Sequence, residues 1–156
     1  MANTEQPGAT YWSLVEPIWD SISIYDGAAI FLRDFRAARP EVGHLLAAHW
    51  CQSEVCNGGF HQFFHNSTGV LAPEALNGFR AIGLHEWARL LEEAMRFFGK
   101  PYPREQEVRI EKLPSAAGKR ENWDPFYALD EQFYDWLHAE ENRFEGAADE
   151  YAKSIV

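Results

Sequence analysis

A glycine pair near the middle of the chain, Gly58-Gly59, most constrains what this sequence can fold into. It lies between two segments with the apolar spacing of amphipathic helices, residues 42–56 and 60–66. Glycine adopts positive φ angles and admits close backbone contacts that other residues resist. The pair therefore predicts that one helix ends here and that another begins at once. The second helix would carry three aromatic residues on one side: Phe60, Phe63 and Phe64.

Apolar residues recur at spacings of three and four along most of the chain, which is typical of helices with one buried face. The alternation of a strand is nearly absent, and only Glu107 to Glu111 forms a short strand-like run. Residues 99–123 are rich in proline and lack helical periodicity, which predicts one long irregular loop. We therefore expect an all-α fold of seven to eight helices. The polar residues 1–10 would form a disordered leader, and residues 11–156 a single helical domain.

The composition restricts the classes of partner. The chain has 156 residues, with 24 acidic and 14 basic side chains and a net charge of −10. Direct binding to nucleic acids or anionic membranes requires lysine and arginine, so this balance favours a basic partner or no charged partner at all. No segment has the apolar length of a membrane span or the pattern of a secretion signal. The two cysteines are too poorly placed to bridge and indicate a reducing compartment, so we expect a cytoplasmic protein.

The negative charge is concentrated in residues 121–156, which hold ten acidic and two basic residues. Asp124-Pro125 predicts the start of a helix there, because a carboxylate caps a helix and proline fits its first position. If that helix continued through Asn142, its outer side would carry a row of carboxylates, one about every 6 Å. The predicted partner-binding residues are Glu131, Asp135, Glu140, Glu141, Glu145, Asp149 and Glu150.

This acidic row has two interpretations. It is either an ordinary solvated helix face or an imitation of the phosphate backbone of DNA. Duplex DNA carries about one charge per 1.7 Å of its axis, so one row of carboxylates is too sparse to imitate it. A second row is most simply supplied by a symmetry-related subunit. The imitation of DNA therefore predicts a homodimer.

A small metal- or thiol-dependent enzyme is the alternative. His61 and His65 are four residues apart on a predicted helix, a spacing that can place two imidazoles on one metal ion. The zinc-protease motif has glutamate directly after the first histidine, where this chain has Gln62. Cys51 and Cys56 lack a metal-finger spacing, and a thiol nucleophile would need a base brought close by the fold. We therefore predict no metal, no cofactor and no catalytic residue.

The block around the glycine pair has a recognisable pattern. Residues 54–69 run Glu-Val-Cys-Asn-Gly-Gly-Phe-His-Gln-Phe-Phe-His-Asn-Ser-Thr-Gly, and Ala72-Pro73-Glu74-Ala75-Leu76 and Ala81-Ile82-Gly83 follow. This block resembles the bacterial DNA mimic protein family, closely over residues 54–83 and more loosely over residues 12–98. The resemblance assigns a structural role to the motif residues Asn57, Gly58, Gly59, Phe60, Gln62, Phe63, Phe64, Asn66 and Gly69.

The resemblance implies an acidic, all-helical, dimeric protein whose negative surface occupies the DNA-binding face of a transcription factor. It implies no catalytic residues, and His61 and His65 fall on variable positions of the pattern. We therefore expect a non-enzymatic binding protein with a basic partner and a role in transcription regulation. Two further alternatives are an immunity-type inhibitor of a basic toxin and a helical adaptor that binds through residues 99–123.

Overall fold

The computed structural model describes residues 10–139 and 143–156. All regular elements in these ranges are helical, which confirms the all-α prediction. The predicted leader lies outside the described residues, except for Thr10, whose side chain caps the first helix. The described ranges hold nine α-helices: α1 (Tyr11–Val15), α2 (Ala28–Ala37), α3 (Pro40–His65), α4 (Ala72–Ile82), α5 (His85–Met95), α6 (Gln106–Lys112), α7 (Arg120–Trp123), α8 (Tyr127–Ala139) and α9 (Arg143–Ile155). Three short 3₁₀ segments join them: Glu16–Ser21, Ser67–Leu71 and Arg96–Phe98.

Helix α3 lies at the centre of the fold and contacts α1, α4, α6, α8 and α9. Its backbone is non-helical at Gly58 and Gly59, and Gly59 has a φ of 78°. The predicted end of one helix and start of the next is therefore confirmed at the glycine pair. All but one of the buried apolar residues of the described ranges form one cluster around α3. That cluster includes Leu45, Leu46, Cys51, Val55, Phe60, Phe63 and Phe64 of α3 itself.

The prediction of one irregular loop over residues 99–123 is only partly right. The segment contains α6 and α7, which raise the helix count above the predicted seven to eight. The strand-like run Glu107 to Glu111 is helical, because it lies within α6. In a strand, the alternation would bury Val108 and Ile110 on one face. In this helix they are 40% and 39% exposed, and Arg109 between them is fully buried. A charged residue therefore fixes this helix to the core.

Trp87 of α5 contacts both α8 and α9. The rings of Phe133 in α8 and Phe144 in α9 both stack on Trp87, with centroids 4.9 and 5.8 Å from it. The carboxylates predicted as one row belong to these two helices. Residues 140–142, through which the predicted helix would continue, lie outside the described residues. Within the described residues, no helix has the length and hydropathy needed to cross a membrane.

Candidate functional site

Asp130 of α8 caps the part of α3 that begins after the glycine pair. Its Oδ1 accepts a hydrogen bond from the backbone N–H of Phe60 at 2.9 Å, and the residue is only 1% exposed. A free helix N-terminus has unpaired N–H groups, which a carboxylate satisfies. A Cβ on Gly59 would collide with the Asp130 carboxylate. Glycine at this position therefore lets α8 dock against the break in α3.

Arg120 of α7 completes this capping site. Its Nη2 donates to Asp124 Oδ2 at 2.9 Å and also contacts Asp130 Oδ2. Asp124 in turn accepts from the backbone N–H of Phe126 at 2.9 Å, as predicted for a helix start. Burial raises the pKa of the Asp130 carboxyl, while the hydrogen bonds from Phe60 and Arg120 oppose that rise. Two of the ten C-terminal carboxylates are thus used inside the fold.

Asp130 was not among the predicted partner-binding residues, but the sequence alone assigned it no structural role. At 100° per residue, position 130 lies on the same side of α8 as Phe126 and Phe133. Both phenylalanines are buried at 1% exposure. A carboxylate on an otherwise apolar helix face is the signal that could have identified this residue as structural.

Arg109 of α6 binds the other end of α3. Its Nε donates to the carbonyl oxygen of Phe64 and its Nη2 to that of Asn66, both at 2.9 Å. Burial lowers the pKa of Arg109, and the charge is balanced by carbonyl dipoles at a helix C-terminus. A Cβ on Gly69 would lie 2.7 Å from Arg109 Nε. Gly69 is therefore needed for the close approach of α6.

Apart from Asn57, the remaining motif residues pack or form contacts inside the fold. Phe60, Phe63 and Phe64 are fully buried. The side chain of Asn66 donates to Glu54 Oε1 at 2.6 Å, which ties the end of α3 to its middle. A Cβ on Gly58 would overlap the Gln62 side chain, whereas Asn57 is exposed. These residues lie at the break in α3 and along the part of the helix that follows it.

The structure gives little support to the metal- or thiol-dependent alternative. The rings of His61 and His65 are 6.0 Å apart, but His61 Nε2 hydrogen-bonds with the carbonyl oxygen of Pro114. Burial raises the pKa of both Cys51 and Cys56, which disfavours the reactive thiolate. Among residues 10–139 and 143–156, no group of three or more His, Cys, Asp or Glu side chains could hold a metal ion.

The predicted partner-binding residues of α8 face solvent. Glu131 and Asp135 are exposed, and none of the ion pairs among the described residues involves them. A hydrogen bond with Glu131 raises the pKa of Tyr127, and the carboxylate of Glu121 raises it further. Glu121 of α7 is also exposed and acts on the same tyrosine as Glu131, so we add it to the acidic group. Glu121 was not among the predicted partner-binding residues, because the sequence predicts an irregular loop at that position.

The predicted residues of α9 have more varied surroundings. Glu145 is exposed, and Glu150 is exposed but forms an ion pair with Lys153 at 3.3 Å. Asp149 Oδ1 accepts a hydrogen bond from the backbone N–H of Tyr11 at 2.8 Å and so holds the start of α1. Asp149 is therefore partly structural. Two further predicted residues, Glu140 and Glu141, lie outside the residues that the structure describes.

Residues 36–154 match the sequence profile of the DMP19-like protein family. The chain belongs to the DMP19-like family. This membership confirms the resemblance to the DNA mimic family that the glycine–phenylalanine block indicated. The chain has no significant match among curated proteins or solved structures.

The family match spans both parts of the site in this DMP19-like chain. It includes the broken helix α3 and its caps Arg109 and Asp130, and it extends over α8 and α9 with their carboxylates. Helix α1 and the 3₁₀ segment Glu16–Ser21 lie outside the matched range. The capping contacts thus connect the family motif physically to the acidic helix α8.

Proposed function

We propose that this protein is a non-enzymatic binding protein that occupies the basic DNA-binding surface of a protein partner. Membership in the DMP19-like family is the observation that carries the proposal. The net charge of −10 supports it, because such a chain is attracted to the basic surfaces that bind phosphate. The partner would be a transcription factor or another nucleic-acid-binding protein in the cytoplasm.

The acidic surface in this proposal is formed by the exposed carboxylates of the last three helices. Glu121, Glu131 and Asp135 belong to α7 and α8, and Glu145 belongs to α9. Asp124 and Asp130 are buried and share the guanidinium of Arg120, so they add less to the field that a partner would meet than the exposed carboxylates do. The four exposed carboxylates, in contrast, take part in none of the ion pairs among the described residues. Their charge is therefore available to another molecule, which supports the proposal.

A homodimer is part of the proposal. Carboxylates along one helix face are about 6 Å apart, whereas the charges of duplex DNA are much denser along its axis. Two copies related by a twofold axis would present two acidic surfaces to one partner. Sedimentation analysis of the purified protein tests this part, with a dimer as the expected species and a monomer as the contradicting one.

Binding to a panel of purified transcription factors from the same genome tests the proposal. We expect an affinity that falls steeply between about 0.05 and 0.5 M salt, since screening shortens the range of surface charges. The variant E131Q/D135N/E145Q should bind at least about 10-fold more weakly, with a smaller salt dependence. The control E93Q/E107Q/E111Q makes the same change in net charge at exposed residues of α5 and α6.

The control variant separates a local surface from total charge. If both triple variants lost the same affinity, net charge rather than this surface would explain binding. If no transcription factor bound, or if affinity stayed constant with salt, the proposed function would be wrong.

A further inference from the structure

Four aromatic side chains gather where α1 and the segment Glu16–Ser21 pack against α3. Trp19 stacks on Trp50 with ring centroids 4.3 Å apart. Trp12 lies 5.6 Å from Trp19 and 5.2 Å from His49. Trp12 is 38% exposed, and the other three are half-buried. We call these four residues, Trp12, Trp19, His49 and Trp50, the tryptophan surface.

The tryptophan surface is not explained by packing alone. Trp87, the tryptophan that serves the core, is 1% exposed and lies between two phenylalanine rings. Trp12, in contrast, leaves more than a third of its surface in water. Indole rings that stay partly exposed in a cluster are characteristic of binding surfaces, where a partner covers them.

Carboxylates surround this aromatic group. Glu16 and Asp20 are exposed on the same 3₁₀ segment that carries Trp19. On the other side, Asp149 binds the backbone of Tyr11, the neighbour of Trp12. Burial raises the pKa of Tyr11, and the carboxylates of Glu145 and Asp149 raise it further. Glu145 therefore also lies near Tyr11. The tryptophan surface therefore has acidic groups on two sides.

Basic residues are scarce around the tryptophan surface. The sequence holds no lysine or arginine between residues 10 and 32. None of the ion pairs among the described residues involves Glu16, Asp20, Glu145 or Asp149. The carboxylates thus remain available to a cation supplied by another molecule.

We propose that the tryptophan surface binds an arginine side chain of the basic partner. A guanidinium is planar and weakly hydrated, so it stacks on an indole face while it donates hydrogen bonds to a carboxylate. Lysine is a strongly hydrated point charge and gains less from the aromatic faces. Nucleic acid bases also stack on tryptophan, but the carboxylates repel their phosphates.

The same chemistry occurs inside the chain. The guanidinium carbon of Arg143 lies 4.4 Å from the centroid of a Trp136 ring, and that of Arg120 lies 5.7 Å from the ring of Tyr127. Trp12 and Trp19 lie before the range that matches the family, so membership alone does not imply this site. The inference rests on the proposed function, since it requires a partner with a basic surface.

Titration with two peptides of equal length and charge, oligo-arginine and oligo-lysine, tests the inference through intrinsic tryptophan fluorescence. The wild type should bind oligo-arginine at least about 10-fold more tightly than oligo-lysine, because only arginine stacks well on the rings. The variant W12L should lose most of this preference while its affinity for oligo-lysine stays unchanged. W12F keeps an aromatic face and should retain part of the preference.

The control is W136L, which removes a half-buried tryptophan of α8 that already contacts Arg143. It should keep the preference of the wild type for arginine. Circular dichroism and the melting temperature verify that each variant is folded. A wild type without preference for arginine, or a W12L variant that keeps it, would overturn the inference.

The outcomes separate this inference from the proposed function. If E131Q/D135N/E145Q weakened both peptides while W12L changed neither, the acidic surface would stand and the arginine site would be lost. If neither peptide bound the wild type at low salt, both would be lost.

Discussion

The carboxylate of Asp130 lies 2.9 Å from the backbone nitrogen of Phe60 and caps the second part of α3 across a glycine break. This contact joins the family motif to the acidic helix α8. Asp130 therefore holds the fold, whereas Glu131 and Asp135 of the same helix face solvent. The motif residues therefore help to position helix α8, although none of them is one of its exposed carboxylates.

The first prediction compares two aspartates on α8. D130A leaves the buried N–H of Phe60 without its acceptor and should reduce the free energy of unfolding by about 2 to 4 kcal/mol. D135A removes an exposed carboxylate from the same helix and should change it by less than about 0.5 kcal/mol. Urea unfolding measures both variants. Equal effects would show that the cap does not stabilise the fold.

The second prediction concerns the glycine pair. Gly59 has a φ of 78° and would place a Cβ against the Asp130 carboxylate, whereas Gly83 has a φ of 92° with nothing within 4 Å. G83A should cost about 1 kcal/mol, from backbone strain alone. G59A should cost at least about 3 kcal/mol, because strain and a steric clash with a buried group add. Thermal and urea unfolding check the difference, and similar losses would contradict the role assigned to Gly59.

The third prediction concerns Arg109. It donates to the carbonyl oxygens of Phe64 and Asn66, and R109M keeps much of its length but no donor. We expect R109M to lose about 3 kcal/mol or more, because carbonyls at the end of α3 would be left unpaired. R33M is the control, since Arg33 is exposed and pairs with the neighbouring Asp34 at the surface. A stable R109M variant would show that water replaces these bonds.

The fourth prediction is a pH dependence of stability. Burial lowers the pKa of His49, whose Nδ1 lies 2.9 Å from the hydroxyl of Tyr11. A histidine with a lowered folded pKa stabilises the fold above its ordinary pKa, and this stability is lost as the pH falls. The free energy of unfolding should therefore decline as the pH drops below about 6.5.

The variant H49Q should flatten that decline, because its side chain does not titrate. Part of the remaining dependence of stability on pH is expected to come from His44, because burial lowers its pKa as well. Urea titrations at several pH values between neutral and mildly acidic supply the measurement. An unchanged slope in H49Q would assign the pH dependence to other groups.

Much of the fold follows from local sequence patterns. The spacing of Leu45, Leu46 and Val55, the glycine pair and the three phenylalanines predicts α3 and its break, because each is a local property of the chain. Asp124-Pro125 likewise predicts the start of the next helix. These features do not depend on residues far away in the sequence.

Other features depend on contacts between distant segments. Helix α6 has a misleading apolar alternation and is held by Arg109, whose partners at Phe64 and Asn66 lie more than forty residues away. Helices α8 and α9 both contact Trp87 of α5, which lies more than forty residues before either of their contacting phenylalanines. The influence of Glu121 on Tyr127 of α8 depends in turn on α7. The single-domain boundary at residue 11 and the acidic partner-binding surface stay predictions.

Competition with DNA tests the central claim most directly. A transcription factor that binds this protein is loaded with fluorescently labelled duplex DNA, and release of the DNA is followed by anisotropy. The wild type and the control E93Q/E107Q/E111Q should displace the DNA at the same concentration, while E131Q/D135N/E145Q should require at least about 10-fold more. A stable complex that contains the factor, the DNA and this protein together, or equal displacement by all three proteins, would contradict the claim that its acidic surface occupies the DNA-binding face.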